Sequence, residues 1–309
     1  MKEVYSIDDL ASRERLDEGA DQPARLAVIG HPVQHSLSPQ LHQPALDEAE
    51  AGMRYIRIDI EAGRLADALA AMKDLGFLGT NVTVPHKFEA LAACDELDEG
   101  ASVLGAVNTV LFEDGRALGF NTDGPGFGLA VREEFAVDLK DLRIMIVGAG
   151  GGAGRAVAAQ CAREGCERLI LVNRTLEKAE QLREELAHFF HSERLEGPGD
   201  RLVVAPLDSP LLPEEAGHAD LIVNTTSLGL KRTDPSPLPG NCLQPHHLVY
   251  DTIYNPPQTR LLADAARAGA RTANGLSLLL HQGALAFDLW FPGRRPVDTM
   301  RRALAAALK

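Results

Sequence analysis

Two α/β domains are the fold the 309-residue sequence predicts, on three observations. Short apolar runs closed by glycine or polar residues alternate with stretches of helical spacing, the order of a mainly parallel α/β layer. A glycine-rich stretch, Gly148 to Gly154, lies mid-chain between one such run and a helix-forming segment. The length suffices for two ordinary cores. The expected division is an N-terminal extension over residues 1–22, a first domain over 23–124 completed by C-terminal helices in 276–309, and a second over 125–275.

Composition narrows the partners. The net charge of −13 repels phosphate backbones and anionic membranes, which argues against nucleic acid and membrane partners and leaves a small molecule. An anionic ligand must therefore meet a local basic or hydrogen-bonding site. The cysteines at 94, 161, 166 and 242 form no C-x-x-C pair and read as reduced thiols, the pattern of a cytoplasmic protein. No run approaches the length of a membrane span, and the acidic N-terminus has no signal-peptide character. Residues 1–22 read as an extra helix or a loose arm.

In chain order, residues 25–29 are a buried strand closed by Gly30, followed by a loop that carries Ser36 and Ser38. Ser38 before Pro39 is placed to cap a helix running through Leu41, Ala45 and Leu46. Two hydroxyls beside a helix N-terminus are also suited to a carboxylate. Strand 55–59 and helix 65–72 follow, and Gly76 ends that helix. In the next stretch, Gly79 to Lys87, Val82 and Val84 alternate about Thr83, and Pro85 fits a first helical turn. That reading places Lys87 at the helix end that disfavours a cation. The chain prefers arginine and uses lysine only at 2, 73, 87, 140, 178, 231 and 309, so a lysine here suggests a group able to give up a proton.

Residues 105–112 turn into a strand, Asp114-Gly115 makes a hairpin, and the return strand reaches Asn121 and Asp123. Asn108, Asn121 and Asp123 each suit a turn, yet with Lys87 they gather polar groups at strand ends of one sheet, where ligands of open α/β sheets bind. Gly124-Pro125-Gly126 and the charged residues 132–141 read as the domain boundary. Strand 143–147, the glycine stretch, a helix to Glu164 and strand 169–172 then compose a βαβ unit. Between a strand and a helix, such glycines let backbone N–H groups approach a pyrophosphate, so this is a Rossmann domain that binds a dinucleotide. Asn173-Arg174-Thr175 ends the next strand, where a carboxylate would select NAD and an arginine accommodates the 2′-phosphate of NADP. NADP(H) is therefore the expected cofactor. Residues 193–218 read as a connection around a short strand at 202–205, strands follow at 221–224 and 248–254, and helices close the chain at 259–268, 276–290 and 297–308. Gln282 lies on the second of these, facing either a polar partner or solvent.

Taken together, His35-Ser-Leu-Ser-Pro39, Asn81-Val-Thr-Val-Pro-His-Lys87, Gly105-Ala-Val-Asn-Thr109, Asn121-Thr-Asp-Gly124 and Asn173-Arg-Thr175 resemble the motifs of the shikimate dehydrogenase family, in the family's order. The resemblance implies an N-terminal substrate domain, a Rossmann domain, a cleft between them and the NADPH-dependent reduction of 3-dehydroshikimate. It implies Lys87 and Asp123 as the catalytic pair, with Ser36 and Ser38 on the substrate carboxylate and Thr83, Asn108, Tyr254 and Gln282 around the ring. Gly148, Gly150, Gly151, Gly152 and Ala153 would take the pyrophosphate, Asn173, Arg174, Thr175 and Lys178 the adenosine phosphate, and Thr226 and Gly275 further parts of the cofactor. Lys178 stands where an arginine is also seen, which keeps the charge and loses the planar fork. No metal is expected, and a monomer or a homodimer is. A quinate or dual-specificity dehydrogenase, or a non-catalytic NADP-binding regulator, would share most of these residues.

Overall fold

The computed structural model describes residues 2–190 and 200–308, and the chain divides into two compact units, Met1–Thr122 with Leu280–Lys309 and Asp123–Leu279. The expected connection at 193–218 thus begins outside the described residues.

The first unit is built on a seven-stranded mixed sheet. Its strands are β1 (Tyr5–Ser6), β2 (Ala24–Gly30), β3 (Arg54–Asp59), β4 (Gly79–Val82), β5 (Glu96–Leu97), β6 (Thr109–Glu113) and β7 (Arg116–Phe120), in the order β1-β3-β2-β4-β6-β7-β5. β1, β3, β2 and β4 run parallel, and β6 returns antiparallel to β4 and β7. The hairpin between β6 and β7 turns on Asp114 and Gly115, both at positive φ, as the sequence pattern requires. Ala27, Ile29, Ile56, Ile58 and Val82 from the sheet pack with Leu65, Leu69 and Met72 of helix Leu65–Asp74. Residues 2–22 are a docked element and not a loose arm. β1 pairs along β3, Leu10 and Leu16 are buried, and Arg13 lies over Phe77 while donating to the carbonyls of Leu75 and Ala24.

Helix Ser38–Glu48 packs on this sheet through His42, a fully buried residue stacked on Tyr55 at 4.6 Å and tilted against Trp290 at 5.4 Å. Asn81 lies near enough to favour the protonated ring slightly, but neither ring nitrogen has a hydrogen bond of normal geometry. Burial dominates and depresses His42 from 6.5 to about 3, so the ring is neutral in the folded state. The unfolded chain takes up this proton first as pH falls, so stability held above the unfolded value is lost progressively from about pH 6.5 down to about 3. We expect His42→Phe to flatten that part of the unfolding midpoint against pH. Equal slopes in the two proteins would show that His42 is not the titrating group.

The second unit carries a six-stranded, wholly parallel sheet: β8 (Arg143–Val147), β9 (Arg168–Asn173), β10 (Leu202–Pro206), β11 (Leu221–Asn224), β12 (Leu248–Asp251) and β13 (Arg271–Asn274), in the order β10-β9-β8-β11-β12-β13. With β8 counted first, this is the doubly wound dinucleotide-binding order. Buried on both faces, the central strands are continuous apolar runs, and Met145, Val147, Ile170, Val172, Ile222 and Val249 form the core. The two units divide between Thr122 and Asp123, beside the Gly124-Pro125-Gly126 read as a boundary, and those residues are not a loop but open helix Asp123–Phe135. Pro125 sits in its first turn, where the missing N–H leaves no bond unmade. No helix among the described residues is long and apolar enough to cross a membrane.

Candidate active site

In the first unit the parallel strands β2 and β4 end side by side. Thr83 N donates to Ile29 O at 2.9 Å and His31 N to Val84 O at 3.0 Å, so the serine loop and the Thr83 to Lys87 segment leave the sheet together. Gly30 is needed here: a Cβ on it would lie 2.5 Å from Thr83 Cγ2. Because β6 is antiparallel to β4, Asn108 precedes β6 at this same end, and its carbonyl accepts from Val82 N at 2.8 Å. Val107 N likewise donates to Lys87 O at 2.9 Å. One end of one sheet thus gathers Ser36, Ser38, Thr83, Lys87 and Asn108.

Lys87 does not lie in a helical turn. Residues 84–88 form turns, His86 N closes one on Thr83 O at 2.9 Å, and the helix spans only Glu89–Ala93. The fully buried His86 ties the segment down through Nε2 to Ile60 O at 2.6 Å. Lys87 is therefore placed by this turn and the bond from Val107, and not by a first helical turn. The half-buried lysine does have partners of its own.

Ser38 is likewise not the helix cap. It is the first helical residue, Leu37 holds the cap position, and Ser36 Oγ accepts from Ser38 N at 3.3 Å. A serine two residues upstream so takes one of the first-turn N–H groups that have no partner inside the helix. The two hydroxyls lie 3.1 Å apart, with Ser36 donating.

Asn108 is buried, and its amide orientation is set by its partners. Oδ1 accepts from Thr122 N at 2.7 Å, and Nδ2 donates to Thr122 Oγ1 at 2.9 Å and towards Gln282 Oε1 at 3.5 Å. Gln282, which the sequence left between a surface and a buried position, is buried within this unit. Behind Asn108 runs a network the sequence reading missed: Tyr55 donates to Asn81 Oδ1 at 2.6 Å, and Asn81 Nδ2 to Thr109 Oγ1 at 3.1 Å. Polar residues in a strand as buried as β4 were the available signal.

Asp123 opens helix Asp123–Phe135 in the second unit, at the end whose dipole favours a carboxylate. Tyr254 follows β12 in the same unit, and burial raises its phenol above the usual range, keeping it protonated.

The glycine stretch joins β8 to helix Gly152–Arg163. Gly148 has φ of +90°, and a Cβ on it would meet Thr226 Cγ2 at 2.6 Å. A Cβ on Gly154 would lie 2.3 Å from Gly148 O, so this glycine brings helix and strand together. A cavity of about 380 Å³ lies over the stretch. Gly148, Gly150, Gly151, Asn173, Arg174, Thr175, Lys178 and Thr226 line it, whereas Gly152, Ala153 and Gly275 are not in its lining. Val147, Val172, Leu207, Thr225, Ser227 and Leu228 complete its wall, and Leu207 carried no sequence signal beyond following a strand. A backbone pared of side chains at a helix N-terminus, with Arg174 exposed just past β9 and Lys178 exposed in the helix Leu176–Leu186 that follows, fits a dinucleotide with an additional phosphate.

Comparison with known proteins agrees with both halves. Residues 28–110 match the model of the shikimate dehydrogenase substrate binding domain, residues 130–197 that of shikimate / quinate 5-dehydrogenase, and residues 275–305 that of the shikimate 5'-dehydrogenase C-terminal domain. The chain is 42% identical over 286 residues to the shikimate dehydrogenase (NADP(+)) of Methanopyrus kandleri, covering 92% of this chain and 96% of that one. It is 45% identical over 284 residues to the enzyme of the same name from Moorella thermoacetica, covering 92% and 93%. The crystal structure of shikimate 5-dehydrogenase from Thermus thermophilus in complex with NADP(H) and shikimate is 37% identical, with a TM-score of 0.80 over 92% of this chain and 100% of that one.

Proposed function

The chain belongs to the shikimate dehydrogenase family, and from that premise we infer that it catalyses the reversible NADPH-dependent reduction of 3-dehydroshikimate to shikimate in aromatic amino-acid biosynthesis. The observation that carries the inference is the gathering of Ser36, Ser38, Thr83, Lys87 and Asn108 at one sheet end, with Gln282 bonded to the last of them.

When bound, the nicotinamide supplies or accepts the hydride, and the remaining work falls to the chain. Ser36 and Ser38 hold the substrate carboxylate. Thr83, Asn108 and Gln282 bind the ring hydroxyls, with the amide of Asn108 already turned by Thr122 so that binding requires no reorganisation. Tyr254 contributes a protonated phenol. Lys87 and Asp123 are assigned the acid–base work, Lys87 giving its proton to the substrate's C3 oxygen in the direction of reduction and recovering it in the reverse. Gly148, Gly150, Gly151, Gly152 and Ala153 receive the pyrophosphate, and Thr226 and Gly275 frame the rest of the cofactor. Asn173, Arg174, Thr175 and Lys178 receive the adenosine ribose and its 2′-phosphate.

The test is nicotinamide absorbance with shikimate or quinate and with NADP or NAD, in all four combinations. Turnover is expected to be fastest with shikimate and NADP. Turnover with quinate alone, or saturable NADP binding without turnover, would replace the proposal with a quinate dehydrogenase or a regulator respectively. Arg174→Ala removes a charged partner of the 2′-phosphate. Its KM for NADP should rise about tenfold to a hundredfold, the worth of roughly 1.5–3 kcal/mol for a hydrogen bond to a charged group. The KM for NAD should not change, and a parallel rise in both would show that Arg174 holds the loop and does not read the phosphate.

A further inference from the structure

We propose that Arg57, on β3, is a positioning residue that aims Ser36 at the substrate carboxylate, an inference that rests on the function assigned above to Ser36 and Ser38. The guanidinium places Nε at 3.0 Å and Nη2 at 2.8 Å from the Ser36 carbonyl, and Nη2 also reaches Gln40 Oε1 at 2.8 Å. From the other side of the residue, Ser36 N donates to Val33 O at 3.0 Å. With its N–H and its C=O both held, the Ser36 backbone cannot rotate, and only χ1 is left to direct the hydroxyl. That last freedom is spent on Ser38, through the 3.1 Å hydroxyl pair and the bond from Ser38 N.

Two residues along the same strand, Asp59 fixes the start of the loop. Its carboxylate accepts from Val33 N at 3.2 Å and pairs with His31 Nδ1 at 2.6 Å. Val33 is therefore held by Asp59 and in turn holds Ser36, so Arg57 and Asp59 together form a rack along which the loop is strung. The rack is braced on its outer edge, where β1 pairs Ser6 with Asp59. A lysine replaces Arg57 only in part, because two N–H groups converging on one carbonyl, with one of them shared to a second acceptor, require the planar fork. Two serine hydroxyls recognise a carboxylate only if both point at it, and Arg57 is the side chain from outside the loop that grips the Ser36 backbone. The strand thus does what the loop's own sequence cannot.

The experiment measures kcat and KM for shikimate, KM for NADP, and KM for the methyl ester of shikimate in the wild-type chain, Arg57→Lys, Arg57→Met and Gln40→Ala. Arg57→Met should raise the shikimate KM about tenfold, one charge-assisted hydrogen bond's worth, with kcat and the NADP KM nearly unchanged. Arg57→Lys should fall between it and wild type, and Gln40→Ala should shift the shikimate KM in the same direction by less. Because the ester lacks the carboxylate charge, the ratio of its KM to that of shikimate should shrink in Arg57→Met, which general damage to the fold would not cause. An unchanged shikimate KM in Arg57→Lys and Arg57→Met, an unchanged ester ratio, or a loss of kcat with KM intact would overturn the proposal. Should Arg57→Met not fold, Arg57→Lys and the ester ratio decide alone. Failure of the wild-type chain to turn over shikimate would instead reject the functional assignment, and so the two failures are told apart.

Discussion

Lys87→Ala is expected to lower kcat by about two to four orders of magnitude, the range of a positioned acid–base group. NADP affinity should be nearly intact, because the cavity over the glycine stretch is lined by residues other than Lys87. The fold should also survive. What holds the segment is the bond from Val107 N to the Lys87 carbonyl and the buried His86, and neither uses the lysine side chain. Lys87→Arg separates the two ways in which a cation could act. Arginine keeps the charge but does not release its proton at working pH, so if proton exchange is the role, Lys87→Arg is nearly as slow as the alanine variant. If it restores turnover, the charge alone suffices. Near-normal kcat in Lys87→Ala would remove the residue from the mechanism, and a matching loss in kcat and in kcat/KM is the pattern expected of an interaction made only in the transition state.

Among the elements legible in the sequence are those whose burial is uniform. Strands β8, β9 and β11 are apolar throughout except at their ends because the parallel sheet covers both faces, and each stands out against its polar exits. The hairpin on Asp114-Gly115 was equally plain, since few residue pairs tolerate two positive φ values. β13 was not legible: its residues Arg271, Thr272, Ala273 and Asn274 lie at the sheet edge and carry no apolar pattern. Helix Asp123–Phe135 was hidden for the opposite reason, because Gly124, Pro125 and Gly126 are breakers in a helix interior but are tolerated in a first turn. The site shows the same division. Residue types marked Lys87, Asn108 and the glycines, whereas the turn that carries Lys87, the bond between Asn108 and Gln282, and the reach of Arg57 to Ser36 arise from contacts distant in sequence. Periodicity reports which face of an element is buried, and it carries no information about which polar groups meet across the end of a sheet.

Gly275→Ala is expected to be among the most damaging single substitutions in the chain. Gly275 joins β13 to helix Leu276–Trp290, and a Cβ on it would lie 2.0 Å from Thr252 O and 2.5 Å from Thr252 C. Those are backbone atoms, and they cannot swing aside as the end of a side chain can. Thr252 is itself held, its N and Oγ1 donating to Asn224 O at 3.0 and 2.9 Å, while Gly275 N donates to Ile253 O at 3.1 Å. Relief would require breaking these bonds or lifting the helix from its first residue. The cost should reach the upper end of the roughly 1–3 kcal/mol typical of overpacking, or exceed it. Gly240→Ala is the control, because a Cβ there meets nothing within 4 Å, and its effect should stay within about 0.5 kcal/mol. Helix Leu276–Trp290 carries Gln282, so a displaced start should also weaken shikimate binding in whatever fraction remains folded. The measurements are the unfolding midpoints of both variants and the NADP affinity of the folded protein. A stable Gly275→Ala chain that binds NADP poorly would make cofactor contact the reason for this glycine, whereas a destabilised chain with ordinary NADP affinity assigns it to the close approach of Thr252.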